Sequence, residues 1–360
     1  MLVVAGAFTV FLVAATVLPL LPFAHGIVRV GDFPRQQFLA LAVTLAALLL
    51  FLAGQGPAVT AMVTVLGGVA IVQTWYILPF TPLWRKQSAA FEPVSDQGEA
   101  FRLVACNVKM SNRRFDDLVR TISDQDPDIM VLMEVDDSWN EALAPLLERF
   151  TDVIARPQEN SYGMVVASKL ALSDTRVACL LTEGVPSVTT TVSTPGGQRF
   201  RLYAIHPEPP VPHRETVGRD GETALVALEV RDEALPVVVT GDLNDVAWSR
   251  TTERFRKVSR LLDPRIGRSV FSTFDARYPL IRWPLDHLFH SAEFRLKRMR
   301  RLPPCGSDHF PVLFDLVLCP DENAESEPKA ANGADIERSE ELVDAARERG
   351  EKPIGSDWEN

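Results

Sequence analysis

The chain has 360 residues, enough for about two domains at roughly 100–200 residues each. Hydrophobic residues make up 46%, ample for a core, and 37 Lys+Arg stand against 47 Asp+Glu, a formal net charge of −10. Thirteen acidic and five basic residues fall between Asp321 and Asn360, so the rest of the chain is nearly neutral and the acidity does not by itself exclude a nucleic-acid partner.

Residues 1–83 differ in composition from everything after them. Three apolar runs, 1–23, 37–54 and 59–80, are expected to be transmembrane helices, because a bilayer core of about 30 Å takes about 20 apolar residues as a helix. Gly54-Gln55-Gly56-Pro57 is a tight break between the second and third runs. Trp75, Tyr76 and Trp84 sit near the end of the third, where amphipathic aromatics favour the lipid–water boundary. A signal peptide would need a basic start that Met1 to Val10 lacks, and it would explain only one run. With three spans, Arg29, Arg35, Arg85 and Lys86 lie on the side of the following domain and no Lys or Arg lies on the other, a bias that points to the cytoplasm. Residues 84–100 read as a polar linker that fixes nothing.

From Phe101 strands and helices alternate. Phe101–Val108 reads as a strand, Phe115, Leu118, Val119 and Ile122 as a helical stripe, Asp128–Glu134 as a short buried strand, and Trp139, Leu143, Leu146 and Leu147 as a second helix. Strands follow at Gly163–Ser168 and Arg176–Leu181, then a hairpin, Val188–Ser193 and Phe200–Ile205, around Pro195-Gly196-Gly197. Glu222–Glu233 and Ser249–Leu261 read as helices. Pro236–Thr240, nearly all valine, has the pattern of a strand buried on both faces. Leu285–Phe289, Phe294–Met299 and Val312–Leu318 are further strands. The predicted fold class is α/β: two packed mixed β-sheets flanked by helices, a four-layer sandwich over 101–319, preceded by the three-helix transmembrane region. Residues 320–360 form an acidic tail with little to bury. Disorder is the expectation there, and 336–349 is read as a solvated charged segment rather than a packed helix.

None of Cys106, Cys179, Cys305 and Cys319 forms a CxxC pair, which argues against zinc. Cys305 and Cys319 flank one strand and would pair only in an oxidising compartment. Polar groups interrupt the apolar strands at their ends. Asn107, Glu134, His206, Asp242 with Asn244, Asp286, and Asp308 with His309 each stand at such a place. Singly, each is more often a solvated strand-end group. Together they supply oxygen ligands for a hard cation and two histidines for proton transfer and charge stabilisation.

Ala105-Cys106-Asn107-Val108, Leu132-Met133-Glu134-Val135, Tyr162-Gly163-Met164-Val165-Val166-Ala167-Ser168-Lys169, Ile205-His206-Pro207, Gly241-Asp242-Leu243-Asn244, Leu285-Asp286-His287-Leu288-Phe289 and Gly306-Ser307-Asp308-His309-Phe310-Pro311-Val312 occur in that order. Their order and spacing resemble the endonuclease/exonuclease/phosphatase superfamily, also called DNase I-like, in its membrane-attached bacterial type. The resemblance implies Mg²⁺, or Mn²⁺ in its place, held by Glu134 with Asn107 beside it, and Asp308 completing the metal or water network. It implies that Asp242 orients or deprotonates the attacking water, Asn244 holds the phosphate, and His309, fixed by Asp286, contacts the phosphoryl oxygens. His206 is the second phosphate-facing histidine, and Tyr162 is a further substrate contact. Lys109 stands where some nuclease members carry an acidic ligand. It is read as an exposed strand-end lysine, with a phosphate contact as the alternative.

The expected function is metal-dependent hydrolysis of a phosphoester or pyrophosphate near the membrane. A short tether raises the effective concentration of membrane-borne substrates, which ranks a phosphorylated lipid above nucleic acid. A tethered nuclease and an inactive scaffold are the alternatives. The expected partners are the bilayer and the lipid or nucleic-acid substrate. The expected place is a bacterial cell membrane, where the charge bias favours the cytoplasmic side and a lipid phosphate fits the outer face as well. Arg295, Lys297, Arg298, Arg300 and Arg301 form a basic run read equally as a phosphate-attracting rim or as a charged edge strand.

Overall fold

A computed structural model describes residues 2–93, 96–319 and 330–357. The chain opens with α1 (Leu2–Val17), a short α2 (Gly26–Arg29), α3 (Arg35–Leu52) and α4 (Pro57–Ile77). Three segments, Leu2–Leu20, Arg35–Leu52 and Pro57–Phe80, are long and apolar enough to cross a membrane. They pack on one another through Leu12, Ala42, Leu49 and Leu66, but only 22–28% of each span is buried, so most of this apolar surface faces outward. At their domain-proximal end the helices share a polar clasp. Arg35 pairs with Asp32 at 2.5 Å, donates to Gln73 Oε1 at 3.1 Å and lies 3.8 Å over the Tyr76 ring. Gln73 in turn donates to Thr16 at 2.8 Å. Buried polar groups need such partners, and here they fix the register of three helices.

The domain is a four-layer sandwich. One mixed sheet has the order β10 (Phe294–Arg301), β11 (Val312–Leu318), β1 (Glu99–Asn107), β2 (Ile129–Met133), β4 (Met164–Ser168), β3 (Asp152–Arg156). The other runs β5 (Ala171–Cys179), β6 (Pro186–Ser193), β7 (Arg199–Ala204), β8 (Val237–Asp242), β9 (Asp286–His290). The pairs β1·β2 and β7·β8 are parallel and the others antiparallel. Alternating residues point inward: Leu103, Ala105, Val131, Met133, Leu202, Ala204 and Val238 meet between the sheets. The opposite parity, Val104, Cys106, Met130 and Leu132, packs under α5 (Phe115–Ser123) and α6 (Asp137–Leu147). On the second sheet Tyr203, Val237 and Val239 pack under α7 (Val217–Arg231) and α8 (Arg250–Ser259).

Three expectations change. The supposed linker is seated: Ser88 is fully buried and bonds His290 Nε2 at 2.7 Å, Gln87 Oε1 accepts from Asp263 N, and Phe91 N donates to Leu296 O. The segment read as a solvated charged stretch is α9 (Gly333–Glu348), opened by a capping box between Asn332 and Asp335, with Leu342, Val343 and Ala346 buried, the first two in a cluster with Ala224 of α7. Its buried face is short, Ser339, Leu342, Val343 and Ala346, among many charged residues, so composition hid it. Residues 320–329 and 358–360 of the expected disordered tail lie outside the described residues. Finally, Arg29 and Arg35, read as loop charges, are buried: Arg29 faces Asp220 of the following domain, and Arg35 pairs with Asp32 within the N-terminal region. None of the four cysteines, all among the described residues, is joined in a disulfide.

Candidate active site

The parallel pairs β1·β2 and β7·β8 lie in different sheets, yet the strands end at one edge of the sandwich, where a cleft of about 300 Å³ opens. Asn107 ends β1 and Glu134 follows β2, while Asp242 ends β8 in register with Asp286, which opens β9. Gly241, next to the last residue of β8, adopts φ +149°, and a Cβ there would come within 1.9 Å of Ile205 O, so this position beside Asp242 requires glycine. Glu134, Asn244 and Lys109 have left-handed backbones, at φ 61°, 51° and 61°, a conformation that concentrates at functional sites.

Glu134 accepts from Asn107 Nδ2 at 2.7 Å and from the Met110 N–H at 3.2 Å. These are neutral donors, and burial raises its pKa to about 7. Asn107 Nδ2 also reaches Asp242 Oδ2 at 3.1 Å, so one amide bridges two carboxylates. Opposite, His309 Nδ1 bonds Asp286 at 2.8 Å and its Nε2 lies 3.4 Å from Asp242. Burial alone would depress this imidazole, but the two carboxylates outweigh it and raise the pKa to about 10. Ligand atoms of Asp242, Asp286 and His309 come within 4.8 Å of one another. Because both ring nitrogens already face carboxylates, we read this cluster as a protonated imidazolium between two anions rather than a metal cage.

His206 behaves oppositely. Burial lowers its pKa to about 4, so it is neutral near pH 7. The Asn244 amide donates to Pro207 O at 2.9 Å and meets His206 Nε2 at 3.3 Å, which puts the His206 proton on Nδ1. That Nδ1 is buried and has no hydrogen-bond partner among the described residues. Asn244 N caps Asp242 Oδ1 at 2.9 Å, and Arg219 holds Asn244 O at 2.9 Å from below.

The oxygen donors fit a hard divalent cation: Glu134 is a half-buried carboxylate without a compensating charge in its hydrogen bonds, and the Asn107 amide stands beside it. Asp308 fits less simply. It pairs with Lys109 Nζ at 2.8 Å and lies 3.5 Å from Arg277, so its charge is already met by the protein. Lys109 is therefore not a bare exposed lysine but part of the cleft wall.

The family profile of the endonuclease/exonuclease/phosphatase family matches residues 104–309, more than half of the chain. The chain belongs to this family. Among curated proteins no match is found. Among solved structures, the catalytic domain of human Nocturnin with bound sulfate is 16% identical, with 61% of this chain and 95% of that chain covered at a TM-score of 0.51. An endonuclease/exonuclease/phosphatase from Bacteroides vulgatus is 20% identical, covering 61% and 99% at 0.50. D. rerio TDP2 complexed with single strand DNA product is 15% identical, covering 61% and 99% at 0.50. At these identities the likeness is one of fold. Endonuclease/exonuclease/phosphatase proteins are hydrolases of phosphoester bonds that generally use divalent metal ions.

All the site residues expected from the sequence gather here. Asp286 lies behind His309, where it holds the ring as expected, whereas the Tyr162 hydroxyl is taken by Ile354 O, leaving its ring beside His206 at 5.4 Å. Four residues that contribute escaped the sequence reading. Phe274 packs 4.9 Å from the His309 ring, and Ile354 and Gly355 form one wall of the cleft. Glu208 anchors that wall by accepting from Ile354 N at 2.7 Å and pairing with Arg349. Nothing in a charged tail signals such a role, since its partner, Glu208, is 141 positions away from Arg349.

Proposed function

We propose that this chain hydrolyses a phosphoester or pyrophosphate bond of a phosphorylated lipid at the membrane surface, using Mg²⁺. The observation that carries the reading is which side of the sandwich meets the apolar helices. The segments that follow the catalytic residues are the ones that touch the membrane-proximal loop and the helix ends. After His206, Arg214 O accepts from Gly26 N at 2.8 Å, and a Cβ on Gly26 would collide with Val211 O at 1.7 Å. After Asn244, Trp248 Nε1 donates to Asp32 O at 2.7 Å and its ring packs on Phe80. After Phe274, Trp283 packs on Phe33. Arg29, on the same loop, reaches Asp220, the partner of the Arg219 that supports Asn244. If helices α1, α3 and α4 span a bilayer, this contact holds the cleft near its headgroups.

The cation would be held by Glu134 with Asn107, and it would neutralise phosphoryl oxygens that a carboxylate-lined cleft otherwise repels. Asp242 accepts a proton from the attacking water as the water oxygen bonds to phosphorus. The His309 imidazolium stabilises the charge that develops on the phosphoryl oxygens, Asp286 holds the imidazolium in place, and Asn244, whose amide is committed to Pro207 O and His206 Nε2, positions His206 in the cleft wall. The P–O bond to the leaving group then breaks, and the leaving oxygen takes a proton from solvent in the open cleft.

A nuclease is the competing reading, favoured by the fold shared with D. rerio TDP2 in complex with a DNA product. The basic run does not add to it: β10 is an edge strand, and Arg298 is committed to Asp315 at 2.6 Å. The test is phosphate release from a lipid pyrophosphate and nicking of plasmid DNA, measured side by side with full-length protein in detergent, with Mg²⁺ or EDTA. Metal-dependent release without nicking, lost in Glu134→Ala, supports the lipid reading. Nicking that depends on Glu134 replaces it with a nuclease. Reaction with neither substrate under any metal favours an inactive scaffold.

A further inference from the structure

Outside the catalytic cleft, a second and larger groove of about 960 Å³ lies between the start of α3 and residues 269–282. Gln37, Ala40 and Leu41 form one side, and Phe271, Leu280 and Ile281 form much of the other. Leu280 is 83% exposed, Leu41 50% and Ile281 48%. Single exposed apolar residues are ordinary, but a contiguous apolar trough with a polar rim marks a binding surface. Gln37 Nε2 donates to Leu280 O at 2.9 Å and pins the tip of the 274–283 loop onto α3.

Two observations select the occupant. The first is continuity: Ala40 and Leu41 belong to the apolar span Arg35–Leu52, so the floor of the groove runs directly into the surface that faces hydrocarbon. The second is charge. Arg282 and Arg301 line the groove, and both guanidiniums lie over the Phe310 ring, at 4.9 and 5.0 Å. Their hydrogen bonds go to the carbonyls of Asp275, Ala276 and Ser272, which are neutral, so two neighbouring cations face the groove mouth together. Phe310 adjoins His309 in sequence, and the other side of the same loop, Phe274, lines the catalytic cleft. One loop thus separates an apolar groove open to lipid from the site that would bind a phosphoryl group.

We propose that this groove is the hydrocarbon subsite of the enzyme, taking the aliphatic chain of a membrane lipid whose phosphate lies against Arg282 and Arg301 at the entrance to the cleft. Its volume is near the top of the roughly 300–1,000 Å³ range of small-molecule sites, whereas the catalytic cleft alone has room for little more than a headgroup. The inference rests on the lipid-phosphate reading of the active site and adds to it where the chain is held.

The test separates the two. Full-length protein is placed in phosphatidylcholine nanodiscs containing phosphatidic acid with a photoactivatable chain, with EDTA present so that binding is read without turnover. Cross-linked peptides are mapped by mass spectrometry. Adducts are expected on residues 269–282, displaced by unlabelled phosphatidic acid and not by phosphatidylcholine. Filling the groove with Ala40→Trp should lower these adducts about tenfold, equivalent to about 1.4 kcal/mol, while adducts on α1 persist. Leu280→Asp, a change at an exposed position, should act in the same direction, and Arg282→Ala with Arg301→Ala should abolish the preference for phosphatidic acid. Absence of adducts on 269–282, or adducts indifferent to Ala40→Trp and Leu280→Asp, overturns the groove whatever the enzyme hydrolyses. With Mg²⁺, Ala40→Trp and Leu280→Asp should slow hydrolysis of long-chain phosphatidic acid and spare glycerol 3-phosphate; equal loss on both overturns the subsite. Groove adducts of the expected pattern with no hydrolysis of either compound or of a lipid pyrophosphate would leave the subsite standing and remove the proposed function.

Discussion

Charge is compensated in opposite ways on the two walls of the cleft. On the six-stranded sheet, Glu134 is held by the Asn107 amide and a backbone N–H, and its pKa rises to about 7. On the five-stranded sheet, Asp242 and Asp286 face each other across adjacent strands and enclose the His309 ring, whose pKa rises to about 10. One wall is charge-compensated by the protein itself, and the other is the wall that the proposed function completes with a cation. The difference teaches that a cluster of acidic groups and histidine need not be the metal centre, because the carboxylate with neutral partners is the one that gains most from an external charge.

The largest expected effect breaks the unfinished wall. Glu134→Ala, or EDTA on the unmodified protein, should reduce phosphoester hydrolysis to background, and Mg²⁺ should raise the thermal midpoint of the unmodified protein but not of Glu134→Ala. Equal Mg²⁺ shifts in both proteins would move the cation elsewhere. Next, Asp242→Asn should lower kcat by about 10²–10⁴, the usual range for a general base. A loss below tenfold would remove that role.

Asp286→Asn sharpens the contrast from the other wall. It should lower kcat by about 10²–10³ if His309 stabilises developing charge, and it should also change the pH dependence of stability. His309 is raised from 6.5 to about 10, so its contribution is complete below 6.5 and fades as pH rises through 10. Melting curves without metal should therefore show less alkaline loss in Asp286→Asn than in the unmodified protein, and parallel curves would contradict the pairing. The smallest effect concerns proton–metal competition. With Glu134 raised from 4.5 to about 7, its stabilising contribution in the metal-free protein is present below 4.5 and lost through 7. A cation needs the deprotonated form, so Mg²⁺ affinity should rise roughly tenfold per pH unit below 7 and level off above it. Calorimetric titration that finds no such slope would mean Glu134 is not the ligand.

Much of this was legible before any coordinates. Short continuous apolar runs such as Leu103–Cys106 and Val237–Thr240 identified strands, because burial on both faces leaves that pattern directly in the residues. The polar residues that interrupt those runs, Asn107, Glu134, His206, Asp242, Asp286 and His309, identified the site, because a charged group at the end of a buried strand stands out against its neighbours. The three helices at the start were legible from length and apolarity alone.

What tertiary structure decided were pairings between distant segments. Lys109 could be read as an exposed strand end until Asp308, 199 positions away, was found beside it. Residues 336–349 could be read as a solvated segment until α7 supplied Ala224 to pack against Leu342 and Val343. Ser88 was a linker residue until His290 met it. Even the opposite protonation of two histidines depended on surroundings: His206 is buried with only Asp242 at 3.9 Å, while His309 has carboxylates at 2.8 and 3.4 Å. Residue types and their periodicity determine elements and the kind of chemistry available. Ion pairs, pKa values and the contact between the catalytic edge and the apolar helices depend on Coulomb and packing terms between groups far apart in the chain, and only the folded arrangement sets those distances.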